Sequence, residues 1–445
     1  MQELWYTRHP ERLTATGIAA DLGWLDDEFT PEGIAVRDLG QTPGADGHRH
    51  TPRTLFRESG NALALGARSR GAATRLVGLT WAEERQAIVT RPYVTIREPE
   101  DLRGRRIGLP LRTGPRFGVR RANGAVDVRR ASALRGFQGA LWAGGLTLND
   151  THPIDVPIPA VTPRRPSGIA RTPAAAVRRS SADIRSPAAD FRSSAADIRS
   201  SAAGEARGPA AGDVWGPATS EFRSPAGEVR GPAATGAWSS AVAGRPAAHA
   251  ARQWAAEFEA LARGEIDAVY VKGAPAVEAA RRYGLHVAID LDGHPDRRVR
   301  LNDGTLRPIT VDKLLLDVRP DVVARFLRVL LDAAEWATAH PAHALALPGE
   351  PPTTRDRFPT SHDRPPTSHD RFPTHDRSAV PPASHELPDL SVDLSAERLA
   401  LLADQGRFLR AHGFLDAAVD VDAWADHSAL ADAQARRRSY QEQTV

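Results

Sequence analysis

Cysteine is absent from this 445-residue chain, which excludes disulfides, thiolate metal centres, cysteine nucleophiles and a lipid-modified N-terminal cysteine. Lysine is nearly absent as well, with Lys272 and Lys313 the only two. No run of about 18 apolar residues occurs, so no membrane-spanning helix is expected. The opening MQELWYTRHP lacks both the charged start and the apolar stretch of roughly 7–15 residues that mark a secretory signal. A cytoplasmic protein is therefore expected as the chain stands, and an extracytoplasmic one if its start lies upstream. A strongly basic domain is missing too. The stretch 163–246 holds 12 Arg against 7 acids, which leaves 46 basic and 48 acidic residues elsewhere, so a nucleic-acid partner is excluded.

Glycine and proline are plentiful, at 36 and 35 residues, and they concentrate in two repetitive inserts. RSSADI, RSPAADF and RSSAADI alternate through 163–247, and DRFPTSH, DRPPTSH and DRFPTH recur within 349–387. Units this short do not match solenoid periods, and so few large apolar residues cannot offset the entropy of ordering. Both inserts are read as disordered, and the histidines of the second as part of the expansion rather than metal ligands.

The remainder alternates strand and helix. A strand over 4–7 precedes a helix carrying Ile18, Ala19, Leu22 and Leu25, and Ile34 to Val36 forms the next strand. Short apolar strands follow at 75–79, 86–90 and 107–109. Helical spacing returns in Leu134, Phe137 and Leu141, and period-two alternation at 154–158. Beyond the first insert the pattern predicts helices near 248–263 and 276–283, a turn and strand within 264–275, a strand at 287–291, and an apolar segment at 309–315. A helix through Val322, Phe326 and Leu330 precedes a last helix over 396–412 that stops at Gly413.

HRHTPRTLFRESGN, from His48 to Asn61, carries the densest chemistry. His48, His50, Arg53 and Arg57 supply donors, while Ser59, Gly60 and Asn61 permit backbone amides to approach an anion and can cap the helix that follows. A solvated basic loop is the plainer alternative. Arg112 and Thr113, after the strand at 107–109, can offer amides to an anion beyond a strand end, a hinge turn being the equal alternative. Tyr270 and Lys272 follow another strand and can close over a ligand.

Four segments, WYTRHP, DLRGRRIGLP, GEIDAVYVKGAP and the helix around Asp321 to Trp336, stand in the order and spacing of one family. The chain resembles the nitrate, sulfonate and taurine group of substrate-binding proteins of ABC transporters, and within it the aromatic sulfinate desulfinases. The resemblance implies a type II periplasmic-binding-protein fold: an α/β protein with lobe 1 at 1–95 and 308–440, lobe 2 at 96–307, and a hinge between them. In the desulfinases a cysteine nucleophile works with a histidine and an Arg-x-Gly-Gly motif. By resemblance Arg57-Glu58-Ser59-Gly60 takes the place of that motif, His50 or less well His48 that of the histidine, and His9 that of the cysteine. LLADQGRFLRAHGFL, from Leu401 to Leu415, adds to the likeness. A thiolate attacks sulfur far more readily than imidazole does, so no catalytic residue is assigned. The expectation is a binder of a small organic anion (sulfonate, sulfinate, nitrate or carboxylate) using His9, His50, Arg57, Ser59, Gly60, Asn61, Arg112, Thr113, Tyr270 and Lys272. It has no cofactor or metal, and an ABC permease is the expected partner. The alternative is a cytoplasmic desulfinase-like hydrolase or an inactive relative of one.

Overall fold

In a computed structural model, the described residues are 1–8, 13–41, 52–112, 126–158, 244–347 and 387–444. Both repetitive inserts lie outside them, apart from their last residues.

The first sheet begins with β1 (Glu3–Tyr6). Thr14 then caps α1 (Ala15–Asp21), its hydroxyl accepting from the Gly17 amide at 3.0 Å. The single helix expected through Leu25 is broken. Gly23 adopts φ +78°, a left-handed conformation that an L side chain resists, and α2 (Trp24–Phe29) starts afresh beyond it. β2 (Ala35–Asp38) returns parallel to β1. Next comes β3 (Leu55–Glu58), inside the segment from 48 to 61 where no strand was expected, because Leu55 and Phe56 are buried. α3 (Asn61–Ser69) and β4 (Thr74–Trp81) follow.

The second sheet starts with β5 (Gln86–Thr90), β6 (Arg106–Arg112), α4 (Val128–Ala143) and β7 (His152–Ile158). It continues through α5 (Gly244–Ala262), β8 (Ala268–Lys272), α6 (Ala274–Arg282) and β9 (His286–Asp290). A short α7 (Arg297–Arg300) leads back to the first sheet through β10 (Leu306–Asp312). The chain closes with α8 (Lys313–Val318), α9 (Pro320–Ala339), α10 (Pro341–Ala346), α11 (Ala396–Ala411), α12 (Val421–Trp424) and α13 (Ser428–Thr444). α11 is thus not the last helix. α13 has little apolar sequence of its own and is held on α9, where Arg437 reaches Asp332 at 2.9 Å.

The two sheets have strand orders β2-β1-β3-β10-β4 and β7-β6-β8-β5-β9. Each mixes parallel strands with antiparallel ones. β10 runs against β3 and β4, and β5 against β8 and β9. The chain crosses between them twice, from Trp81 to Gln86 and from Asp290 to Leu306. β5 therefore belongs to the second sheet, so the first crossing precedes residue 95. Both crossings meet at one place, where the Ala82 amide donates to the Thr305 carbonyl at 2.7 Å and where the hinge expected between the lobes falls.

α9 explains its own position. Pro320 sits in its first turn and Asp321 complements the helix dipole, while Val322, Val323, Phe326, Leu327 and Leu330 form a buried stripe at helical spacing. That stripe lies on the first sheet, with the Phe326 ring stacked on Phe56 at 3.9 Å between centroids. β3 is consequently a central strand, and whatever follows Glu58 is rigidly placed.

Candidate ligand site at the hinge

β1 and β3 are parallel neighbours, so their carboxyl ends open on the same edge. Thr7 locks them together: its hydroxyl donates to the Glu58 carbonyl and accepts from the Glu58 amide, both at 2.9 Å. Arg8, next along, pairs with Asp21. Arg57 is half-buried at this edge, and burial pushes its guanidinium pKa below the usual value. A cation already stripped of part of its water loses less on meeting an anion than an exposed one does. Glu58, alternating to the other face, is buried. One of its oxygens accepts from Thr80 at 2.9 Å and Arg307 at 3.2 Å, and the other has no hydrogen-bond partner among the described residues. The Ser59 amide donates to the Pro308 carbonyl at 3.2 Å.

The amino end of α3 is occupied by the protein itself. Asp303, from the second crossing, accepts from the Ala62 amide at 2.8 Å through its carboxylate and from the Asn61 amide at 3.0 Å through its carbonyl. Gly60 allows this approach, since a Cβ there would stand 2.4 Å from the Asp303 carboxylate. The Asn61 side chain does not cap the helix but donates to the carbonyls of Asn302 at 2.7 Å and Leu306 at 2.9 Å. Burial raises the Asp303 pKa, opposed by Lys272 and the Ala62 amide. Lys272, at the end of β8, pairs with Glu84 of the first crossing at 3.0 Å.

Asn302 ties this assembly to the second sheet. Its side-chain amide donates to the Tyr270 hydroxyl at 2.7 Å and to the Ser132 carbonyl at 3.0 Å, and Tyr270 donates in turn to Gln86 at 2.7 Å. Tyr270 is 1% exposed, so its ring is part of the hinge core. Gly136 makes room for it, as a Cβ there would fall 2.1 Å from the ring. The Gln86 amide donates to Asp292 at 2.8 Å, and burial pushes the Asp292 carboxyl up to about 7.

The structure thus gathers Gly60, Asn61, Tyr270 and Lys272 into one buried polar network at the hinge, with Arg57 and Ser59 on the adjoining strand end. Arg112 stands at the end of β6, its Nε 3.8 Å from Asp127, which caps α4. Expected site residues His9, His50 and Thr113 lie outside the described residues. Sequence reading missed Glu58, Glu84, Gln86, Asn302, Asp303 and Arg307. The one signal was LNDGTLRPIT, a polar cluster inside an apolar frame whose residues 301–310 are all buried. Among the described residues, no group of three acidic, histidine or cysteine side chains can hold a metal ion, and no helix is long and apolar enough to cross a membrane.

No protein-family model matches this chain, and the curated proteins offer no match either. Solved structures do. The desulfurization enzyme DszB is similar at 18% identity, covering 98% of this chain and 100% of its own, with a TM-score of 0.50. A cysteine-to-serine mutant of DszB in complex with biphenyl-2-sulfinic acid matches at 20% identity over 98% and 100% of the two chains, with a TM-score of 0.50. A protein assigned as the periplasmic sulfonate-binding component SsuA of a sulfonate ABC transporter from Methylobacillus flagellatus KT matches at 11% identity. It covers 98% of this chain and 95% of its own, with a TM-score of 0.50. The fold is accordingly a mixed α/β fold with two sheets, of the periplasmic-binding-protein-like kind that these structures share.

Proposed function

We propose that the protein binds a small organic anion, of sulfonate, sulfinate, nitrate or carboxylate type, at the hinge edge where β1 and β3 end. The observation that carries this reading is Arg57, a half-buried guanidinium at the carboxyl end of a central strand. Its neighbour Thr7 pins the strand ends, so the backbone that carries the cation is held in place. Similar folds support the ligand class, because one is a sulfonate-binding component and another holds biphenyl-2-sulfinic acid. In this reading an ABC permease is the partner and the protein works outside the cytoplasm.

Calorimetry with a panel of sulfonates, sulfinates, nitrate and carboxylates tests it. One member should bind saturably, and Arg57→Ala should weaken it by about tenfold or more, the worth of a charge-assisted hydrogen bond. Binding by no member, or binding indifferent to Arg57→Ala in a folded variant, refutes the reading. The likeness to DszB favours a second reading, a cytoplasmic desulfinase-type hydrolase. The chain contains no cysteine, so that reading requires another nucleophile, His9 by its place in the sequence. Release of sulfite from an aryl sulfinate, abolished by His9→Ala, would establish it in place of the first.

A further inference from the structure

We infer that a second anion site lies on the side of the molecule where α4, α7 and α11 meet, suited to a small aromatic carboxylate or sulfonate. A cavity of about 530 Å³ is lined there by Trp142 of α4, Arg297, Arg298 and Arg300 of α7, and Leu401 and Arg407 of α11. Its volume falls within the range of small-molecule pockets, roughly 300–1,000 Å³. Nothing in this inference depends on the site at the hinge.

Four arginines line the cavity against three acids. The acids around the cavity are already engaged: Asp404 holds Arg135 at 2.8 Å and Arg407 at 3.4 Å, and Glu397 faces Arg297 at 3.5 Å. Asp296 caps α7 by accepting from the Arg298 amide at 2.8 Å. Arg298 is the cation left over. Its guanidinium lies over the Trp142 ring at 5.6 Å and has no carboxylate partner among the described residues. Stacking orients the guanidinium while leaving its N–H edge available for a planar anion. Arg300 adds a buried Nε–H without a hydrogen-bond partner among the described residues, although its other end pairs with Glu83 at 2.7 Å.

Aromatic selectivity comes from the remaining wall. Trp142 is 44% exposed although it is among the largest side chains, and Leu401 and Pro295 extend the apolar surface beside it. A ring resting there places its acidic group against Arg298 and Arg407, whereas a bare inorganic anion gains only the charge contact. Any occupant would touch α11 on one side and α4 and α7 on the other, bracing the same helices that the Arg135–Asp404 pair already joins.

Indole N–H resonances of the nine tryptophans provide the test, with Trp142 identified by its loss in Trp142→Phe. On titration with benzenesulfonate the Trp142 signal should move saturably, and the same movement should persist in Arg57→Ala. Arg298→Ala should weaken the apparent affinity by about tenfold, and Arg298→Lys by less, because lysine keeps the charge and loses the planar fork. Inorganic sulfate should bind more weakly than benzenesulfonate. A Trp142 signal that does not move up to about 10 mM probe, near the weak limit of specific binding, overturns the inference. So does an affinity unchanged by Arg298→Ala, or movement lost in Arg57→Ala with the variant folded. Sulfate binding as tightly as benzenesulfonate overturns the aromatic assignment.

Discussion

Replacing Asn302 by alanine should destabilise the protein far more than its place in a connecting segment suggests. Its side-chain amide donates to the Tyr270 hydroxyl and the Ser132 carbonyl, and its oxygen accepts from the Asp303 amide at 2.7 Å. All three partners are buried. Truncation removes these three hydrogen bonds and a longer one to Gln86 at 3.4 Å, and it strands the Asp303 N–H, while Tyr270 keeps its bond to Gln86 and the Ser132 carbonyl its place within α4. A buried group left unsatisfied costs about 1–3 kcal/mol and each further bond lost about 0.5–1.5 kcal/mol, so the total comes to roughly 3–5 kcal/mol. Urea denaturation followed by far-ultraviolet circular dichroism measures it, and Tyr270→Phe serves as the smaller comparison at about 1–2 kcal/mol. A loss below about 1 kcal/mol for Asn302→Ala would mean that water replaces these bonds and that Asn302 does not tie the second crossing to the second sheet.

Gly60→Ala should cost about 2 kcal/mol by denaturation, because Gly60 has φ −59°, which alanine tolerates, and the whole penalty is the collision with Asp303. In an Asp303→Ala background the same change should cost almost nothing, and an equal cost in both backgrounds would refute the contact as the cause. Asp292, whose carboxyl burial pushes from the usual 3.8 to about 7, should make stability fall as pH rises. The folded state holds that proton where the unfolded chain has released it, so between about pH 4 and pH 7 stability declines, by roughly 2 kcal/mol after allowance for solvent screening. Asp292→Asn should flatten that part of a pH series of urea midpoints, and a slope unchanged by the substitution would exclude Asp292 as its source.

Legibility in the sequence followed the source of each element's stability. QAIVT reads as a strand and is one, since its own β-branched and apolar residues carry the signal. α9 was equally plain, its stripe of Val322, Phe326 and Leu330 being enough to define a face. β3 was hidden because Arg57 and Glu58 break the apolar pattern, and only β1 on one side and β10 on the other make Leu55 to Glu58 a central strand. α13 was hidden for a related reason: its helix is held by ion pairs to α9, which no local pattern announces.

The sequence by itself determined the α/β class, the absence of thiol chemistry, the presence of two repetitive inserts, and the identity of Arg57 as a cation ahead of a helix. These are local properties, set by composition and by periodicities of a few residues. What only the tertiary structure decided is the use of the residues around that cation. Asn61 and Gly60 looked like parts of an anion's cradle, yet the chain brings Asp303 across a separation of 241 positions to fill the end of α3 with its own carboxylate. Tyr270, read as a residue that closes over a ligand, became the core of the hinge through Gln86 and Asn302. Hydrogen-bond partners so distant in sequence leave no trace in local spacing, because the partner of each buried polar group is chosen by how the two sheets come together.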